Sequence, residues 1–166
     1  MDTPDGARAA EHYGPAALRH HFERGTDGPR VIMVGVDGSR TADHAAAYAA
    51  GLARRQRCRL VVVFVGEPVG LVSAVYAEAA TAVVETRGEL ADELRREVRL
   101  LAEEAGVPTT FLVCAGDPCT ELRATADQVK ADLLVIGASR QSGRWFVGSV
   151  ATQLVRLGRW PVVVVP

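Results

Sequence analysis

From Val31 onward two kinds of hydrophobic pattern alternate along the chain. The segments VIMVGV (31–36), RLVVVFV (59–65), TTFLVCA (109–115), DLLVIG (132–137) and PVVVV (161–165) are short continuous apolar runs rich in β-branched residues. That is the form of strands covered on both faces. The stretches between them carry helical spacing. RTADHAAAYAAGLARR (40–55) is built of small apolar residues and helix formers, with Ser39 standing where an N-cap belongs. The longest helix is expected from about Thr81 to Ala105. There Val83, Leu90, Leu94, Val98, Leu101 and Ala105 recur on one face, while Glu85, Asp92, Arg95, Arg96, Arg99 and Glu103 form a solvated one. Gly106 is placed to cap it and Pro108 to stop it.

The segment GDPCTELRATADQVK (116–130) opens a third helix, with Asp117 as N-cap and Pro118 in the first helical position. A fourth helix runs from about Gly148 to Leu157 and ends at Gly158. The resulting order is β-α-β-α-β-α-β-α-β with no hairpin signal. Right-handed crossovers between parallel strands then give an open five-stranded parallel sheet with helices on both faces, a doubly wound α/β fold. Residues 1–29 lack sustained periodicity apart from PAALRHHF, where Leu18 and Phe22 share a helical face. They are expected to be a mobile N-terminal extension to a domain at 30–166.

Composition narrows the function without naming it. The chain has 166 residues, enough for one domain with a full core, and is 48% hydrophobic and 23% charged, as ordinary globular proteins are. A formal net charge of −1 gives no global attraction to nucleic acid or to an anionic membrane. The first residues have neither a basic nor an apolar leader region and no run of about 18 apolar residues occurs. A cytoplasmic location is the resulting expectation. Cys58, Cys114 and Cys119 are an odd set without CxxC spacing, and His12, His20, His21 and His44 have no metal spacing, so no disulfide framework and no metal site is expected. Cys119, in the first turn of a helix, is a minor candidate for a thiol activated by the helix dipole.

In a doubly wound sheet, ligands bind outside the carboxyl ends of the strands where the strand order reverses. The loop after the fourth strand, GASRQSGRWFVGSV (137–150), is the most informative one. Gly137 permits close backbone approach; Gly148 and Ser149 lie at a helix start, whose free N–H groups favour an anion. Arg140 and Arg144 add positive charge and no acid lies within the loop. From the residues alone this is either a phosphate loop or plain turn chemistry.

VIMVGVDGS at the first strand, and ADLLVIGAS, VGSV and PVVVVP towards the end, resemble the universal stress protein family, and the likeness covers residues 30–166. It implies five parallel strands in the order 3-2-1-4-5, with the switch point between strands 1 and 4. It also implies an ATP-like adenine nucleotide there, with or without Mg. In members that bind ATP the loop reads glycine, two residues, glycine, nine residues, then glycine and serine or threonine. Asp37 matches the aspartate near the nucleoside, Val63 a position whose backbone meets the adenine edge, Gly137 the first glycine, and Gly148 with Ser149 the final pair. The middle departs from the pattern. Arg140 stands where the second glycine belongs, the loop is two residues short, and Gly143 is the nearest substitute.

If that glycine is needed for positive φ, Arg140 bears a conformational cost and ATP binding is lost. Alternatively, Arg140 or Arg144 replaces backbone donors with charge-assisted bonds and changes which nucleotide fits. Asp37 either accepts from ribose hydroxyls or merely caps the turn into the first helix. Trp145 and Phe146 either stack on a base, dock a partner or, as expected here, pack the loop onto the sheet.

The chain lacks GxxxxGK[ST], GxSxG and SGGxDS motifs, and its third strand does not end in a phosphorylatable aspartate, so a dedicated enzyme is not expected. The fifth strand is an apolar edge, which suits a homodimer joined edge to edge, with Pro161 limiting the pairing. The expected function is a dimeric stress-response sensor or regulator that binds an adenine nucleotide and acts on protein partners. The alternatives are a nucleotide-free interaction dimer with a degenerate loop, and a slow ATP hydrolase.

Overall fold

The computed structural model describes residues 29–66, 77–141 and 144–166; side chains are described within these except at 77–85, 87, 140, 141, 144 and 145. The elements in order are β1 (Val31–Val36), α1 (Arg40–Gln56), β2 (Arg59–Gly66), α2 (Ala77–Ala105), β3 (Thr109–Ala115), α3 (Pro118–Val129), β4 (Leu133–Gly137), β5 (Ser139–Gln141), β6 (Arg144–Phe146), α4 (Ser149–Leu157) and β7 (Val162–Val165). The main sheet has the order β3-β2-β1-β4-β7, all parallel, which is the expected 3-2-1-4-5 arrangement.

The period-two alternation of each strand divides the core into two layers. Ile32, Val34, Val36, Leu60, Val62 and Phe64 face α1 and α2. Met33, Val61, Val63, Leu134 and Ile136 face α3 and α4. The apolar runs are unbroken because both faces of the sheet are covered. Helix α1 presents Ala42, Ala45, Ala46, Ala49, Ala50 and Ala53 to the sheet, all buried. With only methyl groups at the contact, the helix backbone lies close against the strands.

The helix ends follow from their residues. Ser39 caps α1 by accepting from the Ala42 N–H at 3.2 Å, and Asp117 caps α3 by accepting from the Thr120 N–H at 2.9 Å. Gly106 and Gly158 take left-handed φ of 63° and 62° after α2 and α4. Arg57 and Lys130 do the same after α1 and α3 without being glycine, at φ of 55° and 54°. Far from the strands' carboxyl ends, Asp132 Oδ2 accepts from the N–H groups of Arg30 and Val31 at 2.8 and 2.9 Å, fixing the start of β1.

The structure differs from the sequence expectation in several places. The loop after β4 is an antiparallel hairpin, β5 with β6, pairing Ser139 with Phe146, Arg140 with Trp145 and Gln141 with Arg144. The absence of a hairpin signal was misleading because three-residue strands carrying Arg and Gln show no alternation of apolar positions. Helix α2 begins at Ala77 and not at about Thr81, while 67–76 lies outside the described residues. The expected extension at 1–29 falls almost wholly outside them as well.

Candidate functional site

Between the carboxyl ends of β1 and β4, where the strand order reverses, a cleft of about 620 Å³ opens. That volume lies within the roughly 300–1,000 Å³ of small-molecule sites. Asp37, Val63, Gly137, Gly148 and Ser149 all line it. Arg140 has extended backbone in β5, and its side chain lies outside the described residues. Gly143 lies outside them entirely.

Asp37 follows β1 and is exposed. Its Oδ1 accepts from the Ser39 N–H at 3.0 Å across Gly38, whose φ of 79° makes the sharp turn into α1. The turn-capping role is therefore real, and it engages one carboxylate oxygen. The Ser39 hydroxyl also shares a hydrogen bond with the Thr41 hydroxyl at 3.0 Å.

Gly137 has its close backbone neighbour within the protein. A Cβ built there would stand 2.7 Å from the Thr41 carbonyl carbon, 2.8 Å from its oxygen and 2.9 Å from the Ala42 nitrogen. The missing side chain thus brings the first turn of α1 against the end of β4. At Gly148 a Cβ would collide with the Ser139 hydroxyl, so this serine lies over the start of α4.

The three helices that open onto the cleft differ at their N-termini. In α1 and α3 the caps Ser39 and Asp117 occupy one N–H each, whereas α4 has Gly148 as N-cap, no side-chain cap bond and no acid in its first turn. Its first N–H groups and the positive end of its dipole are left for an anion. The hydroxyls of Ser39, Thr41, Ser139 and Ser149 line the same cleft. Val63, Val65, Leu122 and Ile136 give it an apolar floor. An anionic group at the α4 end and a flat apolar group on the floor fit this division, so the residues present suit a nucleotide.

Arg40 and His44, one turn apart on α1, also line the cleft, and His44 Nδ1 lies 3.2 Å from the Pro166 carbonyl oxygen. Reasoning from sequence missed Arg40, Thr41, His44 and Ser139 as lining residues. The available signal was their place in the helix turn directly after the β1 loop.

Three other readings of the sequence do not hold. Arg140 bears no left-handed strain, because its backbone is extended and paired in the hairpin. Phe146 does not pack down on the sheet: it is 44% exposed and Val147 is 52% exposed, since the hairpin leaves the sheet at β4. The Trp145 side chain lies outside the described residues. Cys119 is not activated either. Burial pushes its thiol pKa up, the Asp117 carboxylate adds to this, and Arg123 opposes it more weakly. Burial likewise raises Cys58, with Asp132 contributing. Asp117 is held below the usual carboxylate value by its bond from the Thr120 backbone.

Among the described residues no three His, Cys, Asp or Glu side chains are grouped to hold a metal ion, and no helix is long and apolar enough to cross a membrane.

Residues 29–166 match the model of the universal stress protein family. A universal stress protein of Methanocaldococcus jannaschii is 29% identical over 138 residues, covering 82% of this chain and 81% of that protein. One from Thermus aquaticus is 33% identical over 141 residues, covering 82% and 98%. A crystal structure of a universal stress protein in complex with cAMP is 27% identical, has a TM-score of 0.58 and is aligned over 83% of this chain and 97% of its own. The chain belongs to the universal stress protein family.

Proposed function

We propose that this protein binds an adenine nucleotide in the cleft between β1 and β4 and works as a dimeric stress-response sensor rather than as a turnover enzyme. The observation that carries the reading is the uncapped start of α4, facing an apolar floor within one cleft at the switch point. The Gly148–Ser149 end receives phosphate, Asp37 offers its remaining carboxylate oxygen to ribose hydroxyls, and the base lies along Val63. The relative solved with cAMP supports an adenine nucleotide as the ligand class. ATP with Mg is one member of that class. Any Mg would arrive on the phosphates, since no described cluster of ligands awaits it.

The dimer forms along β7, an edge strand of four valines next to β4. Because Gly137 pairs with Val165 and the Ala138 N–H donates to the Val165 oxygen at 2.6 Å, the cleft wall and this edge share backbone bonds. Occupancy of the cleft then reaches the dimer edge directly, and protein partners in the cytoplasm read the result.

The purified protein would be denatured and its released small molecules chromatographed, and the melting temperature would be remeasured with ATP, ADP, AMP and cAMP. A native-state binder at 100 times Kd gains about 2.7 kcal/mol. No released nucleotide and no stabilisation by any of the four would refute the sensor and leave the nucleotide-free interaction dimer.

A further inference from the structure

Rested on that reading of the cleft, we infer that Arg40 is the cation that holds the ligand's phosphate, a role taken by the helix after the first strand and not by the glycine loop alone. The inference starts from where α1 lies. The backbone contact between Gly137 and Thr41–Ala42 leaves no room for even one methyl group. It draws the first turn of α1 to the carboxyl end of β4, the side of the cleft where Ser139, Gly148 and Ser149 stand. Arg40 is the first residue of that turn and it lines the cleft.

Its charge is available. Among the described residues the ion pairs are Arg95–Asp92, Arg99–Glu103 and Arg159–Asp127, and Arg40 takes part in none of them. Among the described residues it is the only Arg or Lys that lines the cleft. Asp37, three residues earlier, gives one oxygen to the Ser39 N–H, so the two side chains leave the β1–α1 turn with separate tasks. One accepts from hydroxyls and the other donates to an anion. A guanidinium is suited to the second, because its planar fork meets two phosphate oxygens at once. The cation also sits at a helix N-terminus, where a positive side chain gains nothing from the dipole. An anion between Arg40 and the start of α4 removes that unfavourable placement.

The test is isothermal titration of adenosine, AMP and ADP into the full chain and into its Arg40→Ala, Arg40→Gln and Arg40→Lys variants. The readout is the ratio of the adenosine Kd to the AMP Kd. In the parent protein AMP binds at least about tenfold more tightly than adenosine, as a charge-assisted contact requires. Arg40→Ala and Arg40→Gln lower that ratio by about tenfold, and Arg40→Lys retains part of it. The ratio is internal to each variant, so a general loss of fold, which weakens all ligands together, does not imitate the result. An unchanged ratio in Arg40→Ala and Arg40→Gln overturns the inference while leaving the nucleotide site standing. Failure of all three ligands to bind the parent protein overturns the inference, and failure of ATP and cAMP as well overturns the proposed function itself.

Discussion

Substituting Gly137 by alanine adds one methyl group where β4 meets α1, and its cost is set by what that methyl meets. The three nearest atoms, at 2.7, 2.8 and 2.9 Å, are all backbone atoms of Thr41 and Ala42, so no side chain can rotate out of the way. To restore an ordinary contact of 3.4 Å, the first turn of α1 has to retreat by roughly 0.7 Å. That turn is continuous with six buried alanines packed on the sheet, and moving it opens gaps along the whole contact. Overpacking of this kind costs about 1–3 kcal/mol, or roughly 3–10 °C in Tm for a domain of this size.

Gly148→Ala is the matched comparison. Its nearest clash is with the Ser139 hydroxyl, which can turn away, and the next, with the Ser139 Cβ at 3.2 Å, needs only a few tenths of an ångström of adjustment. Its cost is therefore smaller, under about 1 kcal/mol, and Ser139→Ala in the same chain reduces it further. Urea denaturation of the four proteins, with melting curves as a second probe, measures the order. Gly137→Ala as stable as the parent, or more stable than Gly148→Ala, would refute the claim that β4 and α1 touch backbone to backbone.

Arg57→Gly and Lys130→Gly remove a Cβ from left-handed backbone at φ of 55° and 54°, and each should raise stability by about 1 kcal/mol in urea unfolding. A loss in both would contradict it. Because Asp117 has its pKa lowered by the cap bond, its charged form stabilises the fold above the ordinary carboxylate value, and this is lost as pH falls through the lowered one. Relative to Asp117→Asn, which keeps the cap but cannot ionise, the parent's urea midpoint should fall more steeply as pH drops through the ordinary carboxylate range and below it; parallel curves would contradict this. Burial at Cys58 and Cys119 predicts that iodoacetamide at pH 7 labels both more than about tenfold more slowly in the native protein than in urea, and rapid native labelling of Cys119 would revive the activated thiol.

The runs VIMVGV, RLVVVFV and DLLVIG were legible as central strands because both faces of the sheet are covered, and this imposes apolar residues at every position. Ser39, Asp117, Gly106 and Gly158 marked helix ends for reasons local to each residue. The strand order needed more than pattern: the family likeness supplied it, and the pairing agrees.

What stayed hidden depended on contacts between elements distant in sequence. Gly137 was recognised as a place of close approach, but its neighbour is Thr41, nearly a hundred residues away, and not a ligand alone. Arg40 and His44 fall on the polar side of α1, and only the position of β4 turns that side into a cleft wall. The β5–β6 hairpin was invisible because its strands are short and polar. It also changes the meaning of the shortened loop: Ser139–Gln141 pair with Arg144–Phe146, and the arginine in place of glycine adopts extended strand backbone.

Titrating AMP into isotope-labelled protein while following the amide resonances reads out whether an adenine nucleotide occupies the cleft between β1 and β4. Binding there gives saturable shifts concentrated at Asp37, Arg40, Gly137–Ser139 and Gly148–Val150, which line that cleft. Shifts confined to the smaller groove lined by Cys119, Arg123 and Arg156 between α3 and α4, or no shifts at all, would contradict it.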